Sequence, residues 1–322
     1  MDDTNLQTDL QSPDSSDEGF SSFDSLSHTF TPLPARSPTP PMYGVQSVDE
    51  QVSISSTFSM WHTLPPDLVF STSDSVLFYV HSHLVLAMSE NRFHSLIPIP
   101  SIDQPYNSVI HVPEGSQTFN IILHLVYNIP SKHYSPSMET LSSSVDRLSF
   151  YGVQAKKHIV AKTPLYSLLL SYAPLFPIEV YTLAAKHDLL DLAIAVSSHL
   201  LSFNVFSLTT EIGEQMGAIY LRKLFFLLIG RNEALKRLLS QPLLPHVPTD
   251  NCSFHDQRSL SRAWSLASAY IAWDARPDMS TGFLESSLNP LVSKLTCNLC
   301  KESLENRIRN VITAWSQVKR TI

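Results

Sequence analysis

Near residue 60 the chain changes character, and this break limits its possible folds more than any single motif does. Before it, from Met1 to about Ser59, the sequence is rich in Ser, Pro, Thr and Asp, and its apolar residues follow no period. Such a segment cannot bury enough surface to offset the entropy of ordering it, so residues 1–60 are expected to form a disordered tail. Its first fifty residues are acidic: Asp2, Asp3, Asp9, Asp14, Asp17, Glu18, Asp24, Asp49 and Glu50 stand against a single base, Arg36. Ser12-Pro13, Thr31-Pro32, Ser37-Pro38 and Thr39-Pro40 would suit proline-directed kinases, while a plain solubilising tail is the competing expectation.

Beyond the break the chain is apolar enough for one sizeable core or two modest ones, since 43% of all 322 residues are hydrophobic. Eight glycines are few for so long a chain, which counts against folds that cradle phosphates or turn many tight corners. With the acidic tail set aside the remainder is close to neutral, so it offers no broad basic face and nucleic acid is not an expected partner. Three cysteines make no disulfide framework and point to a reducing cytoplasm or nucleus. The opening Met1-Asp2-Asp3-Thr4 lacks the basic and apolar regions of a secretory signal. Leu224 to Ile229 is the most apolar run, far short of the roughly 20 residues that span a bilayer, and no membrane association is expected.

Order is expected from Trp61. Asp67-Leu68-Val69-Phe70 and Val76-Leu77-Phe78-Tyr79-Val80 are β-branched and aromatic runs around a polar turn, which reads as a hairpin. A helix follows at His83–Met88, a third strand at Ser108–Val112, and a helix at Gln117–Tyr127 with Phe119, Ile122, Leu123 and Val126 on one stripe. After Pro130 the pattern is helical throughout. Helices are expected at 137–150, 164–173, 178–187, 189–201, 208–229, 231–240, 257–274, 283–295 and 299–318. The fold class is therefore α+β, with a small strand-bearing unit at 61–205 followed by an all-helical region at 206–322.

In order along the chain, Asp67 to Phe70, then Phe78-Tyr79-Val80-His81, then Leu86 to Phe93 resemble the opening of the BTB/POZ domain. That family shows an acidic residue before a strand, a strand ending in His, an apolar-striped helix, and a Ser ahead of an aromatic. Asp67, Phe70, Val80, His81, Ser89 and Phe93 occupy those places here. The third strand with Gln117–Tyr127, and the segment from Tyr181 through Leu201, are similar to later family elements. Toward the end, Arg262 to Ala267, Ala272 to Asp278 and Trp315 to Ile322 resemble BTB-domain proteins abundant in mushroom-forming fungi. The resemblance implies a protein-interaction scaffold or adaptor that self-associates or recruits a cullin-type ubiquitin ligase. It implies no catalysis.

The residues agree with a non-enzymatic reading in their own way. No Gly-x-Ser-x-Gly, Walker-type loop or Gly-x-Gly-x-x-Gly occurs, and His81 at a strand-to-helix junction reads as a hydrogen-bonded structural residue. The cysteines carry a sharper signal. Cys252-Ser253-Phe254-His255 and Cys297-Asn298-Leu299-Cys300 are pairs with chelate spacing, each ahead of an expected helix. Together Cys252, His255, Cys297 and Cys300 would offer three thiolates and one imidazole, a set that suits one structural zinc. Burial as small apolar residues is the alternative. Two rival readings stay open at this point: an all-helical regulatory or structural protein with a structural zinc site and incidental strands, and a hydrolase whose motif has diverged.

Overall fold

The computed structural model describes residues 52–60, 64–98 and 109–322. The expected tail and its Ser/Thr-Pro sites fall almost wholly on residues 1–51, outside the described residues. Its last part is corrected: Ser53–Ile54 form a strand, and Phe58 is buried. A strand of two residues has no periodicity to read, so the sequence alone extends the tail past it to residue 60.

Among the described residues the protein is α+β, mostly helical, with one four-stranded sheet. The strands are β1 (Ser53–Ile54), β2 (Leu68–Ser71), β3 (Val76–Val80) and β4 (Ile110–His111), arranged in the order β1-β3-β2-β4. Strands β2 and β3 form the antiparallel hairpin, with Leu68 opposite Val80 and Phe70 opposite Phe78. All four side chains are buried, because residues two apart on a strand share a face. Strand β4 joins β2 in parallel, placing Ile110 beside Phe70. The all-α alternative is thereby overturned: the strands are paired elements with a buried face.

Helix α2 (Ser116–Val126) covers that face, and α1 (Ser82–Met88) packs against α2. The Phe119 ring of α2 meets Phe70 at 5.3 Å and Phe78 at 5.4 Å, both edge-on, and Phe93 stacks on Tyr151 at 4.2 Å. Neither α1 nor α2 has a capping side chain at its own N-cap, His81 and Gly115. The hairpin supplies both caps. Asp67 accepts from the Ser82 backbone N–H at 2.7 Å and from the Ser82 hydroxyl at 2.5 Å. Asp74, in the hairpin turn, accepts from the Ser116 N–H at 2.9 Å and the Ser116 hydroxyl at 2.6 Å. Orphan donors in the first turn of each helix are satisfied this way.

Helices α3 (Met138–Leu148), α4 (Ala155–His158), α5 (Pro164–Tyr172), α6 (Pro177–Lys186) and α7 (Leu190–Ser197) complete the first core. Helix α8 (Thr210–Ser240) follows, and it corrects one expectation. The expected break between 229 and 231 is absent, and Gly230 lies inside the helix. The interruption falls at Gly217, whose φ of 69° and ψ of 160° belong to a region essentially restricted to glycine. Side chains from beyond residue 205 join the first core. Met216, Tyr220, Leu224, Leu227 and Leu228 pack into the first core, while Leu235 and Leu239 of the same helix belong to a second.

That second core is closed by α9 (Phe254–Trp273), α10 (Thr281–Leu288), α11 (Pro290–Ser293) and α12 (Asn298–Gln317). The single helix expected at 283–295 is instead α10 and α11, divided at Pro290, whose ring forbids an unbroken helical ladder. Arg231, 3% exposed, donates from Nε to the Pro277 carbonyl at 2.8 Å and from Nη1 to the Val318 and Lys319 carbonyls at 2.6 and 2.9 Å. Its guanidinium also lies over the Trp315 ring at 4.2 Å, so the buried cation is satisfied by dipoles and a π face.

Partial burial opposes ionisation of Asp67, but the Ser82 hydroxyl and N–H outweigh it and hold the carboxyl below its ordinary value. A lowered folded pKa contributes stability above the unfolded value and loses it as pH falls through the folded one. Asp67→Ala is accordingly expected to cost about 1 kcal/mol in urea unfolding at pH 7. The difference from wild type should fade below about pH 4; an equal loss at pH 7 and pH 3 would contradict the capping account.

Candidate metal centre

Helix α12 is the first element of the site. Its N-cap is Cys297, and Cys300 lies in the first turn, so the two-residue spacer puts both sulfurs at one helix end. The Cys300 backbone N–H, helped by the Cys252 thiol and the Leu299 N–H, outweighs burial and lowers the Cys297 pKa to about 7. Burial pushes the Cys300 thiol up to about 12 and raises that of Cys252 as well. The first turn of α12 thus favours one thiolate outright, and the other two require a cation to ionise readily.

Cys252 arrives from the opposite side, at the end of a tight turn in which Thr249 and Cys252 exchange backbone hydrogen bonds of 3.0 and 3.1 Å. Ser253 then starts α9 through a reciprocal capping box with Asp256. The fourth group is His246, in the segment Pro245-His246-Val247-Pro248 between α8 and α9. Its Nδ1 lies 2.7 Å from the Val247 carbonyl, which can only accept, so the proton sits on Nδ1 and Nε2 carries the lone pair. Nε2 is 3.3 Å from the Cys300 sulfur and 3.5 Å from that of Cys297. The Cys252 and Cys300 sulfurs are 3.6 Å apart. All four donor atoms lie within 4.8 Å of one another, close enough to hold a metal ion.

Three of the four residues expected as ligands are therefore brought together, and His255 is corrected to His246. His255 is exposed in the first turn of α9, because the capping box directs Gln257 and Leu260 toward the core and leaves 255 facing solvent. A histidine six residues before Cys252, fixed between two prolines, was the available signal for His246. Among the described residues no other His, Cys, Asp and Glu group of this kind occurs.

The other singled-out residues are placed in the first core. His81 is buried, with Nδ1 2.8 Å from the Tyr127 hydroxyl and Nε2 3.0 Å from the Leu64 carbonyl. That matches a structural role. Ser89 donates to the Tyr151 carbonyl at 2.7 Å and accepts from the Phe93 N–H at 2.6 Å, while Phe70, Val80 and Phe93 are core residues. No family model, curated protein or solved structure matches this chain. Among the described residues, no helix is long and apolar enough to cross a membrane.

Cobalt(II) titration followed by its thiolate charge-transfer absorption separates the two histidines. His246→Ala should weaken binding by at least the ~10–100-fold typical of losing a supporting partner, whereas His255→Ala should bind as wild type does. Equal weakening in both variants would contradict the geometry.

Proposed function

We propose that the chain is a non-catalytic protein-interaction module of BTB/POZ-like kind, acting as a scaffold or adaptor. The observation that carries this reading is the order of elements around one buried sheet face. The hairpin β2–β3, helix α1, strand β4 and helix α2 follow one another as the resemblance of residues 67–127 leads one to expect. The surface also suits protein contacts. Leu266, Tyr270 and Trp273 recur at helical spacing on the outside of α9, with Trp273 93% exposed. Contiguous exposed aromatic and aliphatic side chains of this type mark protein-binding surfaces. The partners in this reading are a second copy of the chain and a cullin-type scaffold, met in the cytoplasm or nucleus.

An affinity pulldown of the full chain, paired with a light-scattering mass, tests it. Recovery of a cullin or a dimeric mass supports the reading; a strict monomer that captures no cullin counts against it.

We also propose that His246, Cys252, Cys297 and Cys300 hold one structural Zn²⁺. A tetrahedral zinc with Zn–S of about 2.3 Å and Zn–N of about 2.0 Å has S···S edges of about 3.8 Å and S···N edges of about 3.5 Å. The 3.6 Å sulfur pair and the 3.3 and 3.5 Å nitrogen–sulfur separations are within a few tenths of an ångström of that frame. Four protein donors would leave no open position, so the ion would join the 246–252 segment to the start of α12 and perform no reaction. Chelation of zinc is expected to lower Tm by several degrees. Protons compete for the same donors, so zinc occupancy should fall as pH drops below neutrality. Purified chain with no zinc, and none taken up on addition, would remove this assignment.

A further inference from the structure

All three ligating cysteines line an open cleft of about 310 Å³, and His246 does not. Asn251, Ala263 and Lys294 form other parts of its wall. Structural metal sites commonly keep their sulfurs behind packed side chains, where oxidants cannot approach; thiolate character combined with access is what makes a sulfur oxidisable. The cysteines are also unequal. Cys252 and Cys300 are buried, while Cys297 is half-buried at the helix end. All three sulfurs lie within 4.8 Å of one another, near enough that a second sulfur can answer an oxidised first one.

We propose that this centre is an oxidation site for hydrogen peroxide, with Cys297 as the attacking thiolate, and that oxidation ejects the metal. The inference rests on the zinc reading above. The Cys297 sulfur attacks one peroxide oxygen, the O–O bond breaks, hydroxide leaves, and a sulfenic acid remains. The thiolate of Cys252 or Cys300 then attacks that sulfur, the S–O bond breaks, a second hydroxide leaves, and a disulfide forms. Two thiolates lose two electrons and one peroxide takes them. The ion retains His246 and one sulfur, too few donors for a stable site. A dithiol reductant together with zinc reverses the change, because a disulfide is the recoverable rung of sulfur oxidation.

The test uses the full chain loaded with zinc. Peroxide is added with a chromogenic zinc indicator present, and the disulfide is located by peptide mass mapping without reduction. The expected result is one zinc released per disulfide formed, with Cys297 in that disulfide. Ala263→Phe, which narrows the cleft without touching a ligand, should keep full zinc content and slow release severalfold. Lys294→Trp on another part of the wall should do the same. Zinc retained through peroxide treatment would overturn the proposal, as would a Cys252–Cys300 disulfide or release at the wild-type rate from both cleft variants. Zinc that never binds would overturn the metal reading itself, and this proposal with it.

Discussion

A hairpin with strands of four and five residues is not stable alone in water, and the first core is organised around meeting that shortage. One face of the hairpin is apolar and is buried under α2. Its polar ends take a second task, since Asp67 and Asp74 provide the caps that α1 and α2 lack. Sheet and helices are thus mutually dependent. The hairpin fixes where both helices start, and the helices bury the aromatic face that would otherwise leave the hairpin in water.

Much of this was readable in the chain. Runs of β-branched and aromatic residues around a polar turn located β2 and β3, and the stripes at helical spacing located α2, α3, α6, α7, α9 and α12 to within a few residues. Such elements declare themselves because burial of one face imposes a period on the residues that supply it. What escaped has no period. Strand β1 is two residues long and pairs with β3 through backbone groups that any sequence carries. The interruption in α8 turns on one glycine out of three, Gly213, Gly217 and Gly230. Gly217 takes a conformation closed to other residues, whereas Gly230 stays helical between buried Leu228 and Arg231.

The cysteine cluster shows the same limit from the side of chemistry. Chelate spacing within Cys297-Asn298-Leu299-Cys300 was legible, because both sulfurs sit on one local turn. Pairing Cys252 with the nearest downstream histidine was not sound, because the capping box at Ser253 turns the chain away before residue 255. Which histidine completes the set depends on the proline-bound segment that returns alongside α12, a matter of long-range packing between α8, α9 and α12. Local sequence can nominate donors, but convergence of donors from three separate segments is a property of the tertiary fold.

Helix α8 contributes side chains to both cores, and Gly217 interrupts its axis near the start. The unbroken stretch from 218 to 240 is a rod of roughly 34 Å at about 1.5 Å per residue. The two cores therefore share one axis, and because Met216 and Tyr220 both pack into the first core, the glycine joint at its foot lies within that core and not between the two.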